Sequence, residues 1–367
     1  MKLGRNEKCW CGSGLKFKRC HDGREEEKNV SLNDVMSHSK KKAKREECYV
    51  PQELHSECNK IINAHTVSKS SSLKEIADKN NHVLGLKIIL TKGKPKLSVE
   101  KIGINNASTF KGFCAKHDKE LFSSFEDSPF IGTEEQCFGL TFRAVAKELH
   151  AKKSFDTSFL KKMDKGKNSL FQTQLQKFAI AHEIGIQAAI KEISEFKSSL
   201  DDKILGKPYD SFNYLILESS HPIPIAVSSI VAPLSDFKGN HLQDLADLDI
   251  TPEYLVFNAF SSNGKGFVLF SWPKSAKIVD IFIDSLLKLN NEHIFSALVR
   301  FFFSTAENSF ISPAWWEGLG SVEKSKIESL IAVAVHPSKP IPTNVLVRDE
   351  INFTGWNVEK IYRVELS

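Results

Sequence analysis

No apolar run in the 367 residues reaches the length of about 20 that a membrane-spanning helix needs, and the polar N-terminus is unlike a signal peptide. The chain also lacks a phosphate-binding glycine-lysine loop, a dinucleotide-binding glycine pattern, a serine-nucleophile elbow and a His-Glu-x-x-His pair. It has no internal repeat. These absences exclude the enzyme classes that such motifs define, and they leave cysteine and histidine as the main carriers of chemistry.

Composition indicates an ordinary globular protein of two or three domains. Hydrophobic residues make up 41% and charged residues 26% of the chain. The chain has seven cysteines, an odd number. Three of them, with a histidine, have the close spacing of metal ligands, so the cysteines do not suggest a disulfide framework. We therefore expect a reducing compartment and a cytoplasmic protein with no membrane span.

Charge is distributed unevenly along the chain. Residues 1–130 carry 25 Lys and Arg against 17 Asp and Glu, whereas residues 131–367 carry 25 against 28. A basic first part suits contact with an anionic partner, so nucleic acid is a candidate partner. A basic surface that only faces solvent is the alternative interpretation.

Three cysteines and a histidine lie within thirteen residues near the N-terminus. They are Cys9, Cys11, Cys20 and His21, with the spacing C-x-C-x8-C-H. Four such ligands suit one tetrahedral Zn²⁺ with every position filled by protein. A segment this short cannot bury a core, so we expect metal binding to supply most of its folding free energy.

This stretch resembles the SEC-C motif, a zinc hairpin best known from the C-terminus of the SecA translocation ATPase. The resemblance covers residues 4–21 and extends to Gly4-Arg5-Asn6-Glu7, Gly12-Ser13-Gly14 and Lys16-Phe17-Lys18. It implies that Cys9, Cys11, Cys20 and His21 are the zinc ligands. It also implies that the hairpin docks a protein partner and has no chemistry of its own.

A second set of ligands lies between residues 48 and 130. His55-x2-Cys58 and Cys114-x2-His117 both have knuckle spacing, and two knuckles separated by a long insert are typical of a treble-clef zinc site. His65 is an alternative to His55, because Cys58, His65, Cys114 and His117 would also make a set of four. Spacing does not decide between these two sets, but either predicts a second zinc ion.

Residues 50–125 resemble the HNH nuclease module, a ββα-metal fold that paired zinc knuckles often hold. The resemblance implies that His65 is the general base, that Asn106 orients it and that Asp118 holds a catalytic Mg²⁺ or Mn²⁺. Ala64 departs from the family, in which the residue before the first histidine often helps to hold the metal. Asp118 also replaces the usual histidine.

The remaining chain predicts an α+β fold. Periodic apolar positions indicate helices over residues 134–152 and 169–200, which together suggest a helical hairpin. The C-terminal part has strand and helix patterns and an Asn263-Gly264 turn signal. The predicted domains are a zinc hairpin, a charged linker, a treble-clef or HNH-like zinc module, a helical segment and an α+β domain of unknown role, over residues 1–23, 24–47, 48–130, 131–205 and 206–367.

Three hypotheses for function follow. The first is a zinc-binding interaction protein whose hairpin docks a protein partner and whose basic part contacts nucleic acid. The second is a metal-dependent HNH-like endonuclease that cleaves DNA or RNA with His65 as general base. The third is a chaperone-like or targeting accessory, by analogy with SecA.

Overall fold

The structure is a computed structural model that describes residues 3–31, 34, 37–38, 45–91, 94–208, 211–247, 249–334 and 340–364. The chain divides into two compact units, residues 1–46 with 149–195 and residues 47–148 with 196–367. The fold class is α+β, as the sequence predicts. No helix in the described ranges is long and apolar enough to cross a membrane. Residues 32, 33, 35, 36 and 39–44 of the predicted charged linker lie outside the described residues.

The second unit is built on two antiparallel sheets. Its strands are β1 Ile61–His65, β2 His82–Thr91, β3 Lys94–Gly103, β4 Thr109–Cys114, β5 Phe212–Ser219, β6 Ile225–Val231, β7 Leu255–Ser262, β8 Lys265–Pro273, β9 Ser309–Ile311 and β10 Lys360–Arg363. β1 pairs with β4. The other eight strands form one sheet in the order β10-β5-β8-β7-β6-β9-β2-β3.

The eight-stranded sheet is covered on both faces at its centre. All eight residues of β7 are buried. Phe257 and Ala259 join the apolar core that the C-terminal helices complete, and Asn258 between them points to the opposite face because side chains alternate along a strand. A strand buried on both faces does not alternate between apolar and exposed polar residues. The centre of this sheet therefore lies in the main hydrophobic core of the unit.

Helices occupy both ranges for which the sequence predicts them, 134–152 and 169–200, and further stretches of the chain. They are Lys74–Ile76, Ala115–Glu126, Glu134–Ser154, Thr157–Leu160, Ser169–Ile204, Lys277–Leu287, Asn291–Thr305, Pro313–Gly318 and Ser321–Ala334. Apolar positions at steps of three and four predict that Phe171 lies on the buried face of helix Ser169–Ile204, and the structure differs there. Phe171 is 50% exposed, whereas Gln172 and Gln176 are buried because their side-chain amides donate to backbone carbonyls at 2.9 and 2.7 Å.

The predicted zinc module and the C-terminal region share a sheet, although the sequence predicts them as separate domains. Leu84 of β2 pairs with Ile311 of β9, and Gly85 pairs with Phe310. These partners are more than 200 positions apart, so no local pattern could indicate the pairing. Residues 48–130 and 206–367 therefore belong to one unit.

An ion-pair group around Asp349 gives the C-terminal region a testable pH dependence. Burial alone would raise the pKa of this carboxyl, but hydrogen bonds from Lys326 and Arg300 lower it to about 2. Arg300 is 1% exposed and also donates to the carbonyl of Ile351 at 2.5 Å. Since the folded-state pKa lies below the ordinary value, the ionised carboxylate stabilises the fold at pH above about 4, and this stabilisation is lost as pH falls towards 2.

We expect Asp349→Asn to lower the free energy of unfolding by about 1–2 kcal/mol at pH 7, because buried Arg300 loses its anionic partner while partial exposure of Asp349 screens the effect. Urea denaturation at a series of pH values measures this loss. The difference from the unmodified protein should shrink as pH approaches 2. Asp249→Asn at an exposed position is the control, and an equal loss in both variants would contradict the assignment.

Candidate metal centres and an adjoining cavity

The N-terminal cluster lies in the first unit. The ligand atoms of Cys9, Cys11, Cys20 and His21 lie within 4.8 Å of one another. His21 Nδ1 is 3.2 Å from Cys9 Sγ and 3.1 Å from Cys20 Sγ, and the sulfurs of Cys11 and Cys20 are 3.4 Å apart. Three sulfurs and one imidazole at these distances fit a single tetrahedral metal ion, and zinc is the ion that this donor set suits.

Local backbone geometry brings these ligands together. Gly12 and Gly14 have φ of 76° and 74°, in the left-handed region that favours glycine. The amide of Cys9 donates to the carbonyl of Leu15 at 2.7 Å across the resulting turn. A short 3₁₀ helix, Phe17–Arg19, then places the last two ligands.

The hairpin also makes buried contacts within its unit. His21 Nε2, on the side of the ring away from the sulfurs, is 2.7 Å from Asp164 Oδ2. Asp164 is fully buried, accepts from Gln176 Nε2 at 2.7 Å and pairs with Arg24 at 2.5 Å. Carboxylates that bind the second nitrogen of a ligating histidine fix its tautomer and raise its basicity. Asp164 is therefore a contact that the sequence does not predict, since it lies 143 residues from His21.

We expect Asp164→Asn to weaken zinc binding at the hairpin by about 10-fold to 100-fold, because an amide orients the His21 ring less firmly than a carboxylate. Competition with a chromogenic chelator measures this affinity. Asp22→Asn is a matched control, since Asp22 is next to His21 in sequence but binds Arg5. Equal affinities in the two variants would rule out the proposed contribution of Asp164.

A second cluster lies in the other unit. It consists of Cys48, Cys58, Cys114 and His117, whose ligand atoms lie within 4.8 Å of one another. His117 Nδ1 is 3.7, 3.5 and 3.3 Å from the sulfurs of Cys48, Cys58 and Cys114. Again, three sulfurs and one nitrogen converge on one point, so this group could also hold a metal ion of the zinc type.

Secondary structure explains three of these positions. Cys58 follows the 3₁₀ helix Gln52–Glu57 and precedes β1, whose Ile61 pairs with Cys114. Cys114 ends β4 and is also the N-cap of helix Ala115–Glu126. His117 lies in the first turn of that helix, so its ring faces back towards the end of the strand. The result is a ββα unit with the cluster at its base.

Neither alternative that spacing suggested for the fourth ligand lies in this cluster. His55 Nε2 is 3.2 Å from the carbonyl of Val50, and His65 Nε2 is 3.0 Å from the carbonyl of Ile104. The fourth residue of the cluster is Cys48, and not one of these two histidines. Its segment runs beside β4, because the amides of Glu47 and Tyr49 donate to Lys111 and Gly112 carbonyls at 3.2 and 2.9 Å.

The sequence does not single out Cys48. Cys48 and Cys137 both lie outside the predicted ligand sets, and the nine residues between Cys48 and Cys58 do not make knuckle spacing. Burial, together with the hydrogen bond to Cys48, raises the pKa of Cys58 to about 12. Metal binding would therefore displace protons from these thiols, which makes occupancy dependent on pH.

A cavity of about 360 Å³ adjoins the same ββα unit. It is lined by His65, Lys69, Ser70, Ala115, Asp118, Lys119, Ser123, Glu126, Asp127 and Arg143. His65 is the last residue of β1, and Asp118 is in the first turn of the helix that follows β4. Two of the three residues that the sequence predicts as catalytic therefore line one cavity.

His65 and Asp118 have contrasting surroundings. The carbonyl of Ile104 can only accept, so Nε2 of His65 carries the proton and Nδ1 is left with a lone pair. Burial lowers the pKa of His65, which keeps the ring neutral. Burial raises the pKa of Asp118, and its Oδ1 is buried without a hydrogen-bond partner among the described residues.

The third predicted catalytic residue lies elsewhere. Asn106 is exposed and is not among the residues that line the cavity, and its backbone carbonyl accepts from Thr109 Oγ1 at 3.1 Å. The orienting contact to His65 comes from the carbonyl of Ile104 instead. Ala64 is 2% exposed, so position 64 contributes to packing and not to the cavity.

Comparison with known proteins assigns a family to the hairpin. Residues 5–21 match the SEC-C motif, which confirms the resemblance drawn from the sequence. Over 20 residues the chain is 85% identical to the protein translocase subunit SecA of three strains of Pseudomonas putida. The match covers 5% of this chain and 2% of SecA. No solved structure matches the chain.

Proposed function

We propose that this SEC-C-containing chain binds two zinc ions and hydrolyses phosphodiester bonds of nucleic acid in the cavity beside the second cluster. The observation that carries the proposal is the position of His65 and Asp118 on adjoining ends of one ββα unit, facing a common cavity. The HNH-like resemblance of residues 50–125 supports it. The two zinc ions would be structural, because each set of four protein ligands leaves no position open for substrate.

His65 would act as the general base. Its Nε2–H is held by the carbonyl of Ile104 at 3.0 Å, so the ring presents neutral Nδ1 as the proton acceptor. A neutral imidazole can remove a proton from an attacking water, and such catalysis contributes about 10²-fold to 10⁴-fold. Fixed orientation of the ring lowers the entropic cost of reaching that geometry.

Asp118 would hold a divalent cation. Its buried Oδ1 has no partner among the described residues, which leaves a hard oxygen donor available. Mg²⁺ is bound in many sites by one or two carboxylates together with water, so one free carboxylate is a sufficient protein anchor. When bound, such an ion stabilises the charge that develops on the phosphate and on the leaving oxygen.

Protein docking through the hairpin is the second candidate function. Leu15 is 51% exposed, and Lys16 and Lys18 close to it are exposed as well. An exposed apolar side chain among cations suits an acidic partner with an apolar patch. The similarity to SecA over 20 residues supports docking, and an accessory role in targeting or chaperoning would be one form of it.

Incubating the full chain with plasmid DNA and with RNA, with and without added Mg²⁺ or Mn²⁺, tests the hydrolase. We expect strand cleavage that requires the added metal. If neither substrate is cleaved under any of these conditions, the hydrolase proposal fails and docking becomes the leading function. A Leu15→Ser variant with unchanged zinc content should then lose the protein partner, and retained binding would exclude this surface.

A further inference from the structure

Arg143 is buried at the cavity without using all of its donors. It lies in helix Glu134–Ser154, lines the cavity and is 1% exposed. Its guanidinium carbon is 4.8 Å from the ring centre of Phe122 and 4.6 Å from that of Phe125. Nη2 donates to Glu126 Oε1 at 2.7 Å, while Nε has no hydrogen-bond partner among the described residues.

An unmade hydrogen bond on a buried cation is costly, so a ligand that accepts from it gains that energy. The two rings and Glu126 hold the guanidinium in one orientation, which lowers the entropic cost of binding an anion. The planar donors of arginine match phosphate oxygens better than lysine does.

The charges of the cavity lining are balanced in number. Its cations are Lys69, Lys119 and Arg143, and its carboxylates are Asp118, Glu126 and Asp127. Glu126 is engaged twice, by Arg143 and by Ser68 Oγ at 2.9 Å, and Lys119 pairs with Asp127. The donor that these pairs leave for an anion is Nε of Arg143, which has no partner among the described residues.

We infer that Arg143 forms an anion subsite that receives a non-bridging phosphate oxygen of the nucleic-acid substrate. This inference rests on the proposed function for its choice of substrate. Arg143 would bind and position the phosphodiester next to His65, while Glu126 holds the guanidinium in place. The chemical class that the subsite recognises is a phosphodiester.

Binding of a short fluorescent single-stranded DNA to the full chain, followed by anisotropy without added divalent metal, separates the subsite from catalysis. We expect Arg143→Gln to raise Kd by about tenfold, as for loss of one charged hydrogen bond. We also expect the slope of log Kd against log salt to fall by about 0.7, as for loss of one phosphate contact on a single strand. Lys74→Gln, exposed and away from the cavity, should leave both unchanged.

Glu126→Gln is a second variant that tests the subsite if Arg143→Gln does not fold. Removing the carboxylate frees Arg143 from its ion pair, so DNA binding should tighten by about threefold or more. Unchanged Kd and salt slope in folded Arg143→Gln, or weaker binding in Glu126→Gln, would overturn the subsite. If DNA binding depends on Arg143 but no cleavage occurs, the subsite is supported and the hydrolase is rejected. If cleavage continues at the full rate in Arg143→Gln, the hydrolase is supported and the subsite is rejected.

Discussion

Replacing Cys48 by serine is expected to lower the zinc content of the purified protein from two ions per chain to one. Cys48 Sγ is one of three sulfurs around His117 Nδ1, and serine is a poor zinc ligand at neutral pH. Because metal binding and folding are coupled in such sites, we expect the free energy of unfolding to fall by more than about 4 kcal/mol. Elemental analysis gives the zinc content, and denaturant unfolding gives the stability.

Two control variants make this result specific. Cys137→Ala removes a buried thiol outside both clusters, and His55→Ala removes the histidine that knuckle spacing offers as a ligand. Both should retain two zinc ions. Loss of one zinc in His55→Ala together with retention in Cys48→Ser would show that His55, and not Cys48, completes the site.

Replacing His65 by alanine is expected to reduce metal-dependent cleavage by about 10²-fold to 10⁴-fold, because the variant would lack the proposed general base. The variant should keep both zinc ions, since His65 binds the carbonyl of Ile104 and no cysteine of the cluster. Initial rates on plasmid DNA and on RNA measure the effect. His221→Ala is the control, because His221 is exposed and does not line the cavity.

The same base sets the expected pH profile. Burial lowers the pKa of His65. The hydrogen bond to the carbonyl of Ile104 and nearby Glu126 oppose this shift, and Lys69 and Arg143 add to it. A base must be deprotonated to work, so the rate should fall on acidification only below the ordinary histidine value of about 6.5. An acidic limb centred above that value, or one that persists in His65→Ala, would contradict the assignment.

Asn106 distinguishes this chain from the family that it resembles. The carbonyl of Ile104 holds the His65 ring, and Asn106 is exposed. We therefore expect Asn106→Ala to cleave within about threefold of the unmodified rate, far from the loss expected for a catalytic residue. A loss as large as that of His65→Ala would restore the role that the resemblance implies.

What the sequence predicts well is local. Cys9, Cys11, Cys20 and His21 lie close enough along the chain for spacing alone to indicate one site, and Asn263-Gly264 predicts the turn between β7 and β8, where both residues have positive φ. The predicted helices 134–152 and 169–200 end within a few residues of the observed Glu134–Ser154 and Ser169–Ile204 for the same reason, since periodicity and caps act over one or two turns.

What the sequence does not predict depends on individual contacts that only the folded chain makes. Cys48 reaches Cys114 because its segment runs along β4, and Asp164 reaches His21 from 143 residues away. Gln172 and Gln176 are buried against expectation because backbone carbonyls satisfy their amides, a compensation that hydrophobic periodicity does not register. Polar contacts of this kind become visible only once the chain is folded.

The pairing of β2 with β9 determines the order in which these strands can pair during translation. β2 and β3 can form their hairpin early, but the neighbour on the other side of β2 is Ser309–Ile311, more than 200 residues later. At usual rates of synthesis, that interval is on the order of ten to forty seconds. Throughout it, the apolar strand has an open edge near the ribosome, where chaperones or another nascent chain can reach it before its own partner has been translated.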